Sequence, residues 1–138
     1  MIARLLALAL LAGAACAAPK PPYTFAEGEA KARVFLATGT TVSMMKDKNV
    51  YAVEVEKDSR YALVPASAPI ALGRFLWFHG YNVSYHCYPM VLFRPAPDAS
   101  YVVDVGVLGD RCVFELVRED PTTRTGLALE PSARGLGK

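Results

Sequence analysis

The sequence predicts an all-β protein, an antiparallel β-sandwich of about seven to nine short strands held by one disulfide. Three observations predict it. Apolar and polar residues alternate with period two through much of the chain after residue 30, the signature of strands with one buried face. Clusters of Gly, Pro, Asn and Asp interrupt that alternation at short intervals, as turns do. The chain also opens with an export signal, which puts Cys87 and Cys112 in an oxidising compartment where a pair of cysteines reads as a disulfide.

The signal occupies residues 1–17. Arg4 supplies the positive charge, Leu5 to Leu11 the apolar core, and Ala12 to Ala17 a small-residue cleavage zone. The core is too short to cross a bilayer as a mature helix. Two processing routes fit. Ala15 and Ala17 can serve as the small residues before a cut ahead of Ala18, or Ala14-Ala15-Cys16 can end a lipobox that makes Cys16 an acylated N-terminus. Residues 18–30 follow as an extended, proline-rich segment, stiffened by Pro19-Lys20-Pro21-Pro22. A helix over Thr24 to Ala32 is the one helical candidate, and Gly28 weakens it.

The strands then follow in order over residues 31–120. Lys31 to Leu36 places Ala32, Val34 and Leu36 on one face, and Thr40 to Met45 is β-branched and apolar. Lys46-Asp47-Lys48-Asn49 turns the chain into Val50 to Glu56, where Tyr51, Val53 and Val55 oppose Glu54 and Glu56. A second polar turn, Lys57 to Arg60, leads to Tyr61–Val64 and a loop bracketed by Pro65 and Pro69. Ile70 to Phe78 is apolar on both faces apart from Gly73 and Arg74. Gly80-Tyr81-Asn82 turns it into Asn82 to Tyr88, with Val83, Tyr85 and Cys87 inward. Met90 to Arg94 is short, and Pro95 to Asp98 is a turn. Tyr101 to Val107 puts Tyr101, Val103 and Val105 on one face. Gly109-Asp110 makes a tight hairpin into Arg111 to Arg118, with Cys112, Phe114 and Leu116 together. Residues 121–138 lack periodicity and read as a flexible tail.

Composition excludes several functions. The chain has 138 residues with 15 basic and 13 acidic side chains; loss of Arg4 leaves 14 against 13. Without a basic stripe, nucleic acid is not a partner to expect. A mature chain of about 120 residues makes one domain with a core of its own. No later apolar run is long enough for a membrane span, so membrane attachment would come only through an anchor at Cys16. With Cys16 removed or acylated, Cys87 and Cys112 remain; a metal or redox pair is the competing reading, and no second cysteine stands at close spacing to support it.

Cys87, Phe93-Arg94-Pro95, Asp98 to Val103 and Arg111-Cys112 together resemble a pattern in small bacterial exported proteins and lipoproteins, in which a Phe-x-Pro-x-x-Gly-x-x-Tyr hairpin lies between two cysteines. The likeness covers roughly residues 60 to 120. It implies an immunoglobulin-like or transthyretin-like sandwich in the cell envelope and implies no activity. This chain departs from the pattern in carrying Asp98-Ala99 where Gly is usual.

Residue types bearing chemistry are sparse. Ser84 and His86 lack an orienting acid and a nucleophile elbow. Glu54 and Glu56 share a strand face, as a solvated pair would, and have little aromatic framing. His79, His86 and Met90 are imidazole and thioether ligand types, and the adjacent Met44 and Met45 face opposite ways on a strand. Phe75-Leu76-Trp77-Phe78 is either a strand buried on both faces or a strand that exposes Phe75 and Trp77, with Tyr81 nearby, as a contact surface.

The sequence therefore reads as a non-enzymatic protein of the envelope, periplasmic or lipid-anchored at Cys16. It would act on an envelope protein or small ligand through Phe75, Trp77 and Tyr81, with Cys87 and Cys112 as its staple and no cofactor. The alternative is a periplasmic metal or small-ligand binder using His79, His86 and Met90.

Overall fold

A computed structural model describes residues 18–36, 41–120, 122–123 and 126–136. The signal and Cys16 lie outside the described residues. Among those described there are twelve strands and no helix. They are β1 (Lys31–Leu36), β2 (Ser43–Lys46), β3 (Asn49–Ala52), β4 (Tyr61–Pro65), β5 (Ile70–Gly73), β6 (Leu76–His79), β7 (Ser84–Cys87), β8 (Met90–Phe93), β9 (Ser100–Leu108), β10 (Arg111–Glu119), β11 (Leu127–Leu129) and β12 (Arg134–Leu136). One five-stranded sheet runs β11-β10-β9-β1-β4 and the other β12-β8-β5-β2-β3, while β6 and β7 pair only with each other. All pairings are antiparallel except β1 with β9, which is parallel.

The predicted all-β sandwich is present, with more strands than the seven to nine expected. Its core lies between the two five-stranded sheets. Val34, Leu36 and Val103 come from one side, and Met44, Leu72 and Phe93 from the other. Alternation predicted these faces correctly for β1 and β9, where Ala32, Val34, Leu36, Tyr101, Val103 and Val105 are all buried. Strand β5 is buried at every position. There, Gly73 is required by close approach: a Cβ would stand 2.7 Å from Met90 Cγ and 2.9 Å from Tyr88 Cε1.

At the crossing from β8 to β9 the chain passes from one sheet to the other. Tyr101, fully buried, packs edge-on against Phe93 with ring centroids 5.2 Å apart. Its hydroxyl accepts the Ala96 N–H at 2.9 Å, a tyrosine-to-upstream-backbone bond of the kind that fixes corners in sandwich folds. Asp98 takes φ 58°. It thus fills the left-handed conformation for which glycine is the usual residue.

Several expectations are corrected. The apolar run Ile70 to Phe78 is two strands: it breaks at Arg74, whose N–H donates to the Pro89 carbonyl at 3.2 Å, and β6 leaves the sandwich. Val83 and Tyr85, expected inward, are exposed because the β6–β7 pair lies outside the two packed sheets. The strand expected to reach Glu56 ends at Ala52, and Val55 makes an isolated bridge to Ala62 beyond it. Residues 24–32 form no helix; Gly28 at φ 73° turns the chain, and the Glu29 N–H reaches the Ala26 carbonyl at 3.1 Å.

The tail expected over residues 121–138 instead carries β11 and β12. The first pairs with β10 and the second with β8, so this strap spans matching edges of the two sheets. Ser132 holds it down: the Arg94 N–H donates to its Oγ at 3.0 Å, and that hydroxyl donates to Glu130 Oε1 at 2.6 Å. The strands have three residues each, and β11 is wholly exposed. Their pairing is by main chain and their side chains are exposed, which leaves no side-chain period to read.

The N-terminal segment is extended as expected, but it is docked. Ala52 N–H donates to the Pro21 carbonyl at 2.9 Å. Tyr23 stacks edge-on against Tyr51 and donates to Glu29 Oε1 at 2.7 Å, while Lys46 Nζ donates to the same oxygen at 3.1 Å.

Candidate contact surface

The candidate site is the β6–β7 hairpin. Its strands pair Leu76 with Cys87, Trp77 with His86, Phe78 with Tyr85 and His79 with Ser84. The connecting loop is closed by the Gly80 N–H donating to the Val83 carbonyl at 2.7 Å, with Asn82 at φ 94°. Asn tolerates that region better than most residues.

Pairing and period two assign the faces. On the outer face stand Phe75, Trp77 and His79, opposite Ser84 and His86. Phe75 stacks on His86 at 6.1 Å between centroids, and Trp77 lies 5.3 Å from His79. The His79 Nδ1 and Ser84 Oγ are 2.9 Å apart. On the inner face, Phe78 stacks on Tyr85 at 5.4 Å. Among the described residues nothing covers the outer face or the tip: Phe75 is 57 % exposed, Trp77 66 % and Tyr81 95 %. Of the two readings of Phe75–Phe78, the structure therefore realises the exposed one at Phe75 and Trp77, while Leu76 and Phe78 are half-buried.

Cys87 and Cys112 are bonded, with Cα atoms 6.5 Å apart. The expected bridge is present, but it does not sit between the faces of the sandwich. It ties the end of β7 to the start of β10, and both cysteines are half-buried. Between hairpin and sandwich lies a groove of about 680 Å³, lined by Phe78, Tyr85, Met90, Phe114 and Leu136, with Arg111 at its rim.

The other singled-out residues do not assemble. His86 and Met90 line the groove, whereas His79 stands at the far end of β6 and is not among the residues that do. Among the described residues no three His, Cys, Asp or Glu side chains gather as a metal-binding group. Ser84 engages His79 rather than His86. Glu54 and Glu56 are both exposed.

One signal went unread in the sequence. From Phe75 through Phe93 the chain has no Asp, Glu, Lys or Arg, although such residues make up 20 % of the whole. A stretch both uncharged and exposed is unusual, since exposed strand positions are where charge normally collects. Compared with protein-family models, with curated proteins and with solved structures, the chain matches none of them.

Proposed function

We propose that this is a non-enzymatic protein of the cell envelope that works by contact, with the β6–β7 hairpin as its contact element. The observation that carries the reading is the exposure of Phe75, Trp77 and Tyr81 on a hairpin outside the core. Each large aromatic ring transferred from water into a partner contributes roughly 1.5–3 kcal/mol, and aromatic residues dominate binding hot spots. Export is supported by the signal over residues 1–17 and by the Cys87–Cys112 bridge, which belongs to an oxidising compartment.

The test is photo-crosslinking in intact envelopes with a probe at Tyr81 and a control probe at Leu129, which is also exposed but lies on the strap. A labelling pattern specific to Tyr81, and lost with Phe75→Ala plus Trp77→Ala, is expected. Identical labelling from both positions would end the proposal.

A second reading, a small-ligand or metal binder using His79, His86 and Met90, is favoured by the groove, which His86 and Met90 share. Unchanged copper and zinc affinity in a His79→Ala, His86→Ala variant would remove its metal form.

A further inference from the structure

We infer that the surface this hairpin contacts is a lipid bilayer, entered at headgroup depth. The inference rests on the proposed contact role and names its partner.

Aromatic and aliphatic side chains are exposed on the outer face (Phe75, Trp77) and at the tip (Tyr81, Val83), while Tyr85 faces the groove toward the sandwich. A folded partner docked flat on the outer face would leave the tip in water. A bilayer interface entered tip first covers both.

Protein interfaces carry charged and polar rims even where their centres are uncharged and aromatic. Charge is costly to bring into the headgroup–acyl boundary, though less so than into the bilayer centre. The hairpin, Phe75 to Tyr88, has no charged residue at its centre or its edges, which fits a membrane interface better than a protein interface. Charge resumes at the hairpin base. Arg74 precedes β6, and Arg111 lies next to the cysteine that anchors β7. Both stand where lipid phosphates would meet the protein. Asp110 lies 3.9 Å from Arg111, so the electrostatic term is small and apolar burial carries the binding.

Trp, Tyr, His and Asn carry a polar edge on a flat body, and Trp and Tyr concentrate at membrane–water interfaces. Among the described residues the outer edges of β6 and β7 have no strand partner. Their free backbone groups forbid the hydrocarbon core but not the hydrated headgroup layer.

Trp77 is the only tryptophan in the chain, so the patch reports on itself. The experiment uses the secreted chain carrying Cys16→Ser, which cannot be acylated, with vesicles of phosphatidylethanolamine and phosphatidylglycerol. A blue shift of Trp77 emission, protection from iodide and quenching by lipids brominated near the headgroup are expected. Phe75→Ala should weaken partitioning about tenfold. Tyr81→Asp, at a position 95 % exposed and so harmless to folding, should weaken it by more, and Leu129→Ala not at all. Replacing phosphatidylglycerol by phosphatidylcholine should change partitioning less than threefold. Emission unaffected by millimolar lipid overturns the inference. If the Tyr81 probe then still labels one envelope protein specifically, the contact role stands with a protein partner; if it labels nothing specifically, both readings fall.

Discussion

Removing the disulfide should free the hairpin and leave the sandwich folded. The perturbation is Cys87→Ser with Cys112→Ser. The bridge closes a loop of 25 residues, for which the chain-entropy relation gives about 3.5 kcal/mol at 25 °C. That figure is a ceiling, because it assumes that the folded state is unchanged. No side chain of β6 or β7 belongs to the fully buried core, and only Leu76 packs partly against it. A two-stranded hairpin alone is marginally stable. Without the bridge, the hairpin regains freedom in the folded state as well, which returns part of the entropy. The expected global loss is therefore about 1–3 kcal/mol. It should appear as a lower denaturation midpoint with little change in slope. Amide exchange separates the two effects. Amides of Leu76–His79 and Ser84–Cys87 should exchange near the rate of open chain, while those of β1, β5 and β9 stay protected. Protection of the hairpin equal to that in the oxidised protein would refute the reasoning, and so would global unfolding.

Other consequences follow from the packing. Tyr101→Phe keeps the ring against Phe93 but strands the Ala96 N–H, so chemical denaturation should show a loss of about 1–2 kcal/mol. Glu29 titrates below its usual value of 4.5: burial pushes it up, but hydrogen bonds from the Tyr23 hydroxyl, the Ala26 N–H and Lys46 outweigh burial. A group lowered on folding stabilises above its unfolded value and loses that contribution as pH falls through the folded one. Stability should therefore decline below about pH 4.5, and Glu29→Gln should flatten that limb at a cost of about 1–2 kcal/mol at neutral pH. Ending the chain after Glu119 removes β11 and β12 and bares the edges of β10 and β8; light scattering should then show self-association, as uncovered edges invite it, and a monomer of undiminished stability would show that the strap is dispensable.

The parts of the fold legible in the sequence are those where one face is buried and the other wet. Strands β1 and β9 announce themselves by alternation, and the charged turn Lys46 to Asn49 lies where its composition places it, with Asp47 and Lys48 both at positive φ. Alternation fails where its cause is absent. Ile70 to Phe78 is apolar apart from Gly73 and Arg74, so only that pair, and no change of period, marks the point at which β5, buried at every position, gives way to β6, half in water. Strands β11 and β12 form by main-chain pairing to existing edges and need no apolar face. At the candidate site, residue type was enough to pick out Phe75, Trp77 and Tyr81. Their exposure was not legible, because it depends on the hairpin leaving the sandwich, a three-dimensional event that no local pattern records.

The place of the bridge bears on what the hairpin is for. A sandwich whose core includes Val34, Leu72, Phe93 and Tyr101, all at 1 % exposure or less, holds its two sheets together by burial. The bridge is not spent there. It fixes a pair of strands that adds no fully buried side chain to the core, and that pair carries the chain's only tryptophan, with its most exposed tyrosine in the connecting loop. A loose aromatic hairpin would lose conformational freedom on every contact it made, and that loss weakens binding; holding it in place beforehand removes much of the loss. The disulfide then acts on presentation more than on folding. The same double serine variant should separate the two roles: its contact with vesicles or with a crosslinked partner should weaken more steeply than its stability does. Were binding and stability to fall in proportion, the bridge would be a folding staple that happens to end on a hairpin.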